Sequence, residues 1–216
     1  MKKGFSLIEI LAVIAIVGIL TSVLVPAISG AYAHSKTAVC KNMQRQLVVA
    51  GAAYQNDHNA FPPSVVSMFE HWDSETVLWQ YVGNTKETMV CPEHYDDQFS
   101  TTGFNYNTSF LGDEYIIGSG ALLKGVVPSS CSHPAQCAMF GDGFDNKFMR
   151  STLSNLSTRC GGRQAFRHNH FTVVGWLDGH VTAQDKKFNN NCDDVPDVGF
   201  LSNDDSAYDP RTLTLY

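Results

Sequence analysis

Hydrophobic residues follow three different rhythms along this chain. Residues 5–25 form an apolar run of 21 positions in which the sole charge is Glu9. As a helix rising 1.5 Å per residue this run is about 31 Å long, which matches the roughly 30 Å hydrocarbon core of a bilayer. Past Pro26 the pattern becomes amphipathic: Val39, Met43, Leu47, Ala50 and Tyr54 recur at helical spacing, while Lys36, Lys41, Asn42, Arg45 and Gln55 fall off that stripe. Asn56-Asp57-His58-Asn59 and Pro62-Pro63 end it. One helix over 5–55 would be about 75 Å long.

The remainder changes rhythm again. Residues 64–71 and 74–81 read as short helices with Ser or Asp near their starts. Short strands are expected at Phe104–Asn107, 115–117 and 136–140. The clearest alternation is Phe171 to Gln184 around Asp178-Gly179, which predicts a hairpin with a two-residue type I′ turn. That register sets Trp176 opposite Val181 and Val174 opposite Ala183, and predicts that the Trp176 face covers the long helix. The fold class is therefore α+β: a long N-terminal helix packed on an antiparallel sheet.

Composition narrows the function. The chain has 216 residues, 15 Lys+Arg against 21 Asp+Glu (net −6), and 44% hydrophobic residues. It is too apolar for a disordered chain, and an acidic balance without a basic cluster argues against nucleic acid. Lys2 and Lys3 precede the apolar run, so the positive-inside rule places the N-terminus in the cytoplasm and the body outside the inner membrane. A secretory signal cut after Ala31-Tyr32-Ala33 or a plain anchor would share these features, but neither explains Glu9.

The segment from Lys2 to Leu20, Lys-Lys-Gly-Phe-Ser-Leu-Ile-Glu-Ile-Leu-Ala-Val-Ile-Ala-Ile-Val-Gly-Ile-Leu, resembles the class III signal of type IV pilins and type II secretion pseudopilins. The resemblance implies that a prepilin peptidase cuts after Gly4 and methylates Phe5, that Glu9 serves filament assembly, and that Pro26 kinks the helix. Cleavage would free an ammonium at Phe5, with which the Glu9 carboxylate of an incoming subunit can pair. His168, nine residues and then Asp178-Gly179 resemble the H-x9-DG segment of a subgroup of large pilin-like proteins, and Asn105-Tyr106-Asn107 after Cys91-Pro92 resembles an upstream part of it.

Six cysteines, Cys40, Cys91, Cys131, Cys137, Cys160 and Cys192, suit disulfides outside the cytoplasm. Cys131–Cys137 and Cys160–Cys192 are the favoured pairs among fifteen possible connectivities. Zinc is the alternative use, since Cys91-x-x-His94 and Cys131-x-His133 carry ligand residue types without a paired Cys-x-x-Cys. His168, His170, Asp178 and His180, with Asp142, form the one constellation suited to catalysis or a metal. A structural His–Asp contact is favoured there, because no nucleophile elbow, zinc helix or phosphate loop accompanies it. The acidic tail contains Asp193, Asp194 and Asp197, weak Ca²⁺ candidates whose spacing matches no calcium loop; no cofactor is otherwise expected.

These observations predict a leader at 1–4, a membrane or filament-core helix at 5–26, an amphipathic helix at 27–60 and a head at 61–216 carrying the hairpin over 168–184. The expected role is a non-enzymatic pilin-like or pseudopilin subunit in the inner membrane. Its partners would be other such subunits, the prepilin peptidase, an inner-membrane assembly platform and lipid. The alternative is a membrane-tethered extracytoplasmic binding protein that does not polymerise.

Overall fold

The computed structural model describes residues 6–67, 70–83, 85–94, 102–112, 129, 131–150, 160–190 and 192–210. Helix α1 (Leu7–His58) runs unbroken for 52 residues, about 78 Å, and passes through Pro26. It starts on a capping box: the Ser6 hydroxyl accepts from the Glu9 N–H at 3.3 Å while the Glu9 carboxylate accepts from the Ser6 N–H at 2.7 Å. Asn59, in the left-handed region at φ 51°, ends it. The hydroxyls of Thr21 and Ser22 within the apolar half bond back to the carbonyls of Val17 and Ile19, so the helix satisfies its own polar side chains.

Among the described residues, only the second half of α1 meets the head. Its buried residues are Cys40, Gln44, Leu47, Val48, Ala50 and Gly51, so the expected stripe is rotated. Val39 is exposed, and Met43 and Tyr54 are half-buried at the margin of the core. Small and polar residues, not the largest apolar ones, mark the line of closest approach. That line follows what the sheet presents, which the apolar spacing of the helix cannot report.

The head is built on a five-stranded sheet in the order β5-β3-β4-β7-β8. Its strands are β3 (Phe104–Asn107), β4 (Ala138–Asp142), β5 (Phe148–Met149), β7 (Thr172–Trp176) and β8 (Val181–Gln184). The β3–β5 pair is parallel and the other pairs are antiparallel. Strands β3, β4 and β7 are buried at every residue, because α1 covers one face and the segment around Tyr208 the other. Two small antiparallel pairs complete the head: β1 (Val65–Ser67) with β2 (Glu70–His71), and β6 (Gln164–Ala165) with β9 (Val198–Gly199).

Several local expectations are corrected. The segment 64–71 forms the β1–β2 pair, not a helix; Pro62-Pro63 and then Val65-Val66 favour extended backbone over the cap-like Ser64. In 74–81 only Trp79–Tyr81 is helical, as a 3₁₀ turn, after bonds from Val77 and Trp79 N–H to the Ser74 carbonyl. The strand expected at 136–140 begins two residues later, because the Gln136 N–H is engaged in a turn with the His133 carbonyl. The strand expected at 115–117 lies outside the described residues.

The β7–β8 hairpin forms with a different turn. Gly179 has φ 101° but Asp178 does not have the positive φ that type I′ requires. The Gly179 N–H bonds to Trp176 O, and Trp176 N–H to His180 O, closing a three-residue loop of Leu177, Asp178 and Gly179. The register is Gly175↔Val181 and Val174↔Thr182, one residue from expectation. Val173 joins the core beneath α1, whereas Val174 and Trp176 pack with Ala138, Met149 and Tyr208 on the far side. The Trp176 face is thus turned away from the helix, and Gly175 lies under it, where a Cβ would sit 2.6 Å from Val48 Cγ2.

A disulfide joins Cys160 to Cys192 across a separation of 32 residues and ties off the segment that contains the hairpin. Cys131 and Cys137 stand as two thiols, contrary to the pairing favoured from sequence. The buried Cys137 thiol instead donates to the Tyr208 carbonyl at 3.1 Å.

Candidate functional site

Two features of the molecule are not explained by folding the head. The first is the free half of α1. From Leu7 to Ile28 every large apolar side chain is exposed, with Leu7 at 85%. Glu9 is the sole charged side chain between Leu7 and Ala33. Its carboxylate lies over the helix N-terminus, where the free N–H groups and the helix dipole favour a negative charge. The helix is apolar and long enough to cross a bilayer. Gly4 and Phe5, the expected processing residues, lie outside the described residues.

The second is a buried cluster of Cys40, Cys91, Asp142 and His168, at most 2% exposed each. Four separate pieces of backbone deliver them. Cys40 lies on α1 one turn before Gln44. Cys91 opens a turn, Cys91-Pro92-Glu93-His94, closed by the His94 N–H on the Cys91 carbonyl at 2.8 Å, with proline in its favoured second position. Asp142 ends β4. His168 opens a tight turn through Asn169 (φ 54°) and His170 (φ 67°), closed by the 3.2 Å bond from the Phe171 N–H to the His168 carbonyl. Both central residues have positive φ, so the type I′ geometry expected at Asp178-Gly179 is found here instead.

The side chains interlock. The Cys40 thiol donates to Asp142 Oδ1 at 3.2 Å, His168 Nε2 lies 3.3 Å from Asp142 Oδ2 and 3.4 Å from Cys91 Sγ, and His168 Nδ1 lies 2.9 Å from Glu93 Oε2. Asp142 is held from the protein side by the Val173 N–H at 2.8 Å and by the Gln44 amide. Burial works against a charged His168, but the Asp142 carboxylate and the Cys91 sulfur outweigh it and raise the imidazole to about 10. The Cys91 thiol is lowered to about 6 by its interaction with the neighbouring Cys40 sulfur, against its burial and with help from His168. Cys40 is pushed up, first by burial.

Cys91, His168 and Glu93 therefore have the order of a thiol, its base and an orienting carboxylate. The arrangement is sealed, however: Cys91 is 1% exposed, so no substrate carbonyl can reach the sulfur.

The constellation read from sequence divides. His168 and Asp142 meet, whereas His170 pairs with Asp197 at 2.6 Å and His180 with Asp178, both at the surface. His94 contacts Arg167 at 3.0 Å and takes no part in the cluster. The acidic tail does not converge: Asp194 accepts from Lys187 and Asn189, Asp197 faces His170, and the Asp193 carbonyl accepts from Arg163. Cys40 and Glu93 were missed. The sequence signal for Cys40 was its place on the same helical face as Leu47, and for Glu93 its position two residues after Cys91.

No curated protein and no solved structure matches the chain. Residues 1–25 match one family, described as the prokaryotic N-terminal methylation motif. The chain thus carries, at the head of an exposed apolar helix, the N-terminal signal of a type IV pilin-like or pseudopilin precursor.

Proposed function

We propose that this protein is a filament subunit, made as an inner-membrane precursor, cut after Gly4, methylated on Phe5 and assembled with other pilin-like subunits into a type IV pilus or a secretion pseudopilus. The observation that carries the proposal is the bare apolar half of α1 joined to the methylation motif. That surface needs lipid before assembly and neighbouring helices after it. Its 14 large apolar residues from Leu7 to Ile28 each expose half or more of their surface, and burying such a side chain is worth about 1.5–3 kcal/mol.

Glu9 supplies register. In the monomer its carboxylate accepts from the Ser6 N–H, which leaves it placed to accept the Phe5 ammonium of a neighbour. In the packed, low-dielectric filament core an unpaired carboxylate is costly, so subunits offset from that pairing are disfavoured. The head contributes exposed surface to the assembly, a structural role.

The test is the mature N-terminus of protein from native membranes, read by mass spectrometry, together with a Glu9→Ala variant. N-methylated Phe5 and loss of the variant from sheared filaments are expected. A chain beginning at His34 would refute the proposal, since the spine and Glu9 would be absent. Methylated Phe5 with normal incorporation of Glu9→Ala would remove the register role. Processing without any filament would favour a tethered binding protein.

A further inference from the structure

From the buried cluster we infer that the head binds one zinc ion through Cys40, Cys91, Asp142 and His168, and that this ion fastens the spine helix to the head. The inference is independent of filament assembly. The four residues each offer a ligand atom, and these atoms lie within 4.8 Å of one another. Zinc bonds of about 2.3 Å to sulfur and 2.0–2.1 Å to nitrogen or oxygen set tetrahedral ligand atoms about 3.3–3.8 Å apart. The cluster gives 3.4 Å for Cys91 Sγ to His168 Nε2, with Cys40 Sγ 3.2 Å from Asp142 Oδ1 and His168 Nε2 3.3 Å from the other carboxylate oxygen, Oδ2, so binding an ion requires the four side chains to adjust by a few tenths of an ångström to about 1 Å.

The donor chemistry agrees with the spacing. Two thiolates, an imidazole and a carboxylate suit a borderline-soft, tetrahedral dication; a calcium site would need six to eight oxygens. All four positions come from protein, so the site is closed, as structural zinc sites are. A second layer is also present. His168 turns Nε2 inward and Nδ1 toward Glu93, whose carboxylate lies 2.9 Å away as an ion-pair partner without hydrogen-bond alignment, which is the side on which a ligating imidazole takes its second partner. The Val173 N–H and the Gln44 amide fix Asp142. Glu93 also lines a surface cleft of about 720 Å³, which none of the four ligands lines.

Without an ion the arrangement is hard to account for. Two thiols, an imidazole and a carboxylate are withdrawn from water at the junction of α1 and the sheet, where apolar side chains would pack at lower cost. Two thiolates and Asp142 around a dication carry one net negative charge, and His168 then serves as a neutral ligand. The consequence for the fold is specific: Cys40 belongs to α1 and the other three ligands to the head. Metal binding is thereby coupled to docking of the spine.

The test uses the full-length chain in detergent, purified without chelator, with zinc measured by elemental analysis. About one zinc per chain is expected, at least tenfold less in Cys91→Ala and in His168→Ala, and no change in Cys137→Ala, which removes a buried thiol outside the cluster. Circular dichroism reports whether each variant folds. In case the cluster variants fail to fold, the wild-type chain is alkylated with and without a zinc chelator and mapped by mass spectrometry. Labelling of Cys40 and Cys91 only after chelation supports the site. Substitution by Co²⁺ should give the visible absorption of a tetrahedral thiolate complex. A zinc-free chain, whether Cys40 and Cys91 are free thiols or joined in a disulfide, overturns the inference, as does zinc retained in both cluster variants.

Discussion

Spine and sheet approach closely at Gly175, and adding one methyl group there measures how tightly the two are fitted. In Gly175→Ala the new Cβ would lie 2.6 Å from Val48 Cγ2 and 3.4 Å from Gln44 Oε1. Val48 is 2% exposed and β-branched, so it has no free rotamer to retreat into. Gln44 is held by its 2.8 Å bond to the Val173 carbonyl. The helix must therefore move off the sheet. Overpacking of this kind costs about 1–3 kcal/mol, of which replacing a strand glycine by alanine returns about 0.5–1 kcal/mol. The expected net loss is about 1–2 kcal/mol, measured by denaturant unfolding in detergent with tryptophan fluorescence. Val48→Ala removes the obstructing methyl, so the double variant should be more stable than the sum of the single losses by about 1 kcal/mol. Gly51→Ala is the control: its Cβ would meet the far end of the unbranched Met139 side chain, which can turn aside more readily than Val48, and it gains about 1 kcal/mol of helix propensity. Equal stability of Gly175→Ala and wild type, or strict additivity with Val48→Ala, would refute the reasoning.

Replacing both Cys160 and Cys192 by serine opens a loop of 32 residues and should cost about 3–4 kcal/mol by the chain-entropy argument, read as a lower unfolding midpoint; no shift would show that the bridge constrains nothing. Asn107 donates to the Ala138 and Tyr208 carbonyls, both at 2.8 Å, while fully buried, so Asn107→Ala should lose about 2–3 kcal/mol by removing two buried hydrogen bonds, the Cys137 thiol remaining as a donor to the Tyr208 carbonyl. Burial alone would raise the Asp73 carboxyl, but Lys147 at 2.8 Å and Lys86 at 3.4 Å outweigh it and hold it below its ordinary value of 3.8. A depressed carboxyl stabilises the fold above its unfolded value and loses that contribution as pH falls through the folded one. Asp73→Asn should therefore cost about 1 kcal/mol at pH 7, and the difference should vanish in acid; a constant difference down to pH 2 would contradict the ion-pair explanation.

What could be read from sequence follows from how far each signal reaches along the chain. The helix was legible because its apolar run and its stops lie within one contiguous stretch. The Phe171–Gln184 hairpin was legible because alternation and a turn dipeptide are local. Its register was not: Asp-Gly serves a three-residue loop as well as a two-residue one, and the two differ by one position, which exchanges the faces. The buried face of α1 was misjudged because burial there is chosen by Gly175 and Asp142, which lie about a hundred residues or more away in sequence. The same distance hid the cluster. His168 and Asp142 were suspected by residue type, but the chain itself gives no sign that Cys40 and Cys91 approach them. The positive-φ turn at Asn169-His170 escaped because Asn-His is not a strong hairpin dipeptide, although Asn is among the residues that tolerate that backbone.

The line of buried residues on α1 from Cys40 to Gly51 has a mechanical meaning. It occupies about 16 Å of the helix axis. Tension in a filament would travel along the spine and leave it through this short length, with each contact displaced by the same sliding motion. Bonds arranged side by side along the pull share the force and fail together, whereas bonds opened from one end fail in turn. The junction therefore resists axial traction far better than it resists peeling. A chain pulled by its helix should yield in one step, at a force set by the unfolding rate of the seam rather than by the stability of the head.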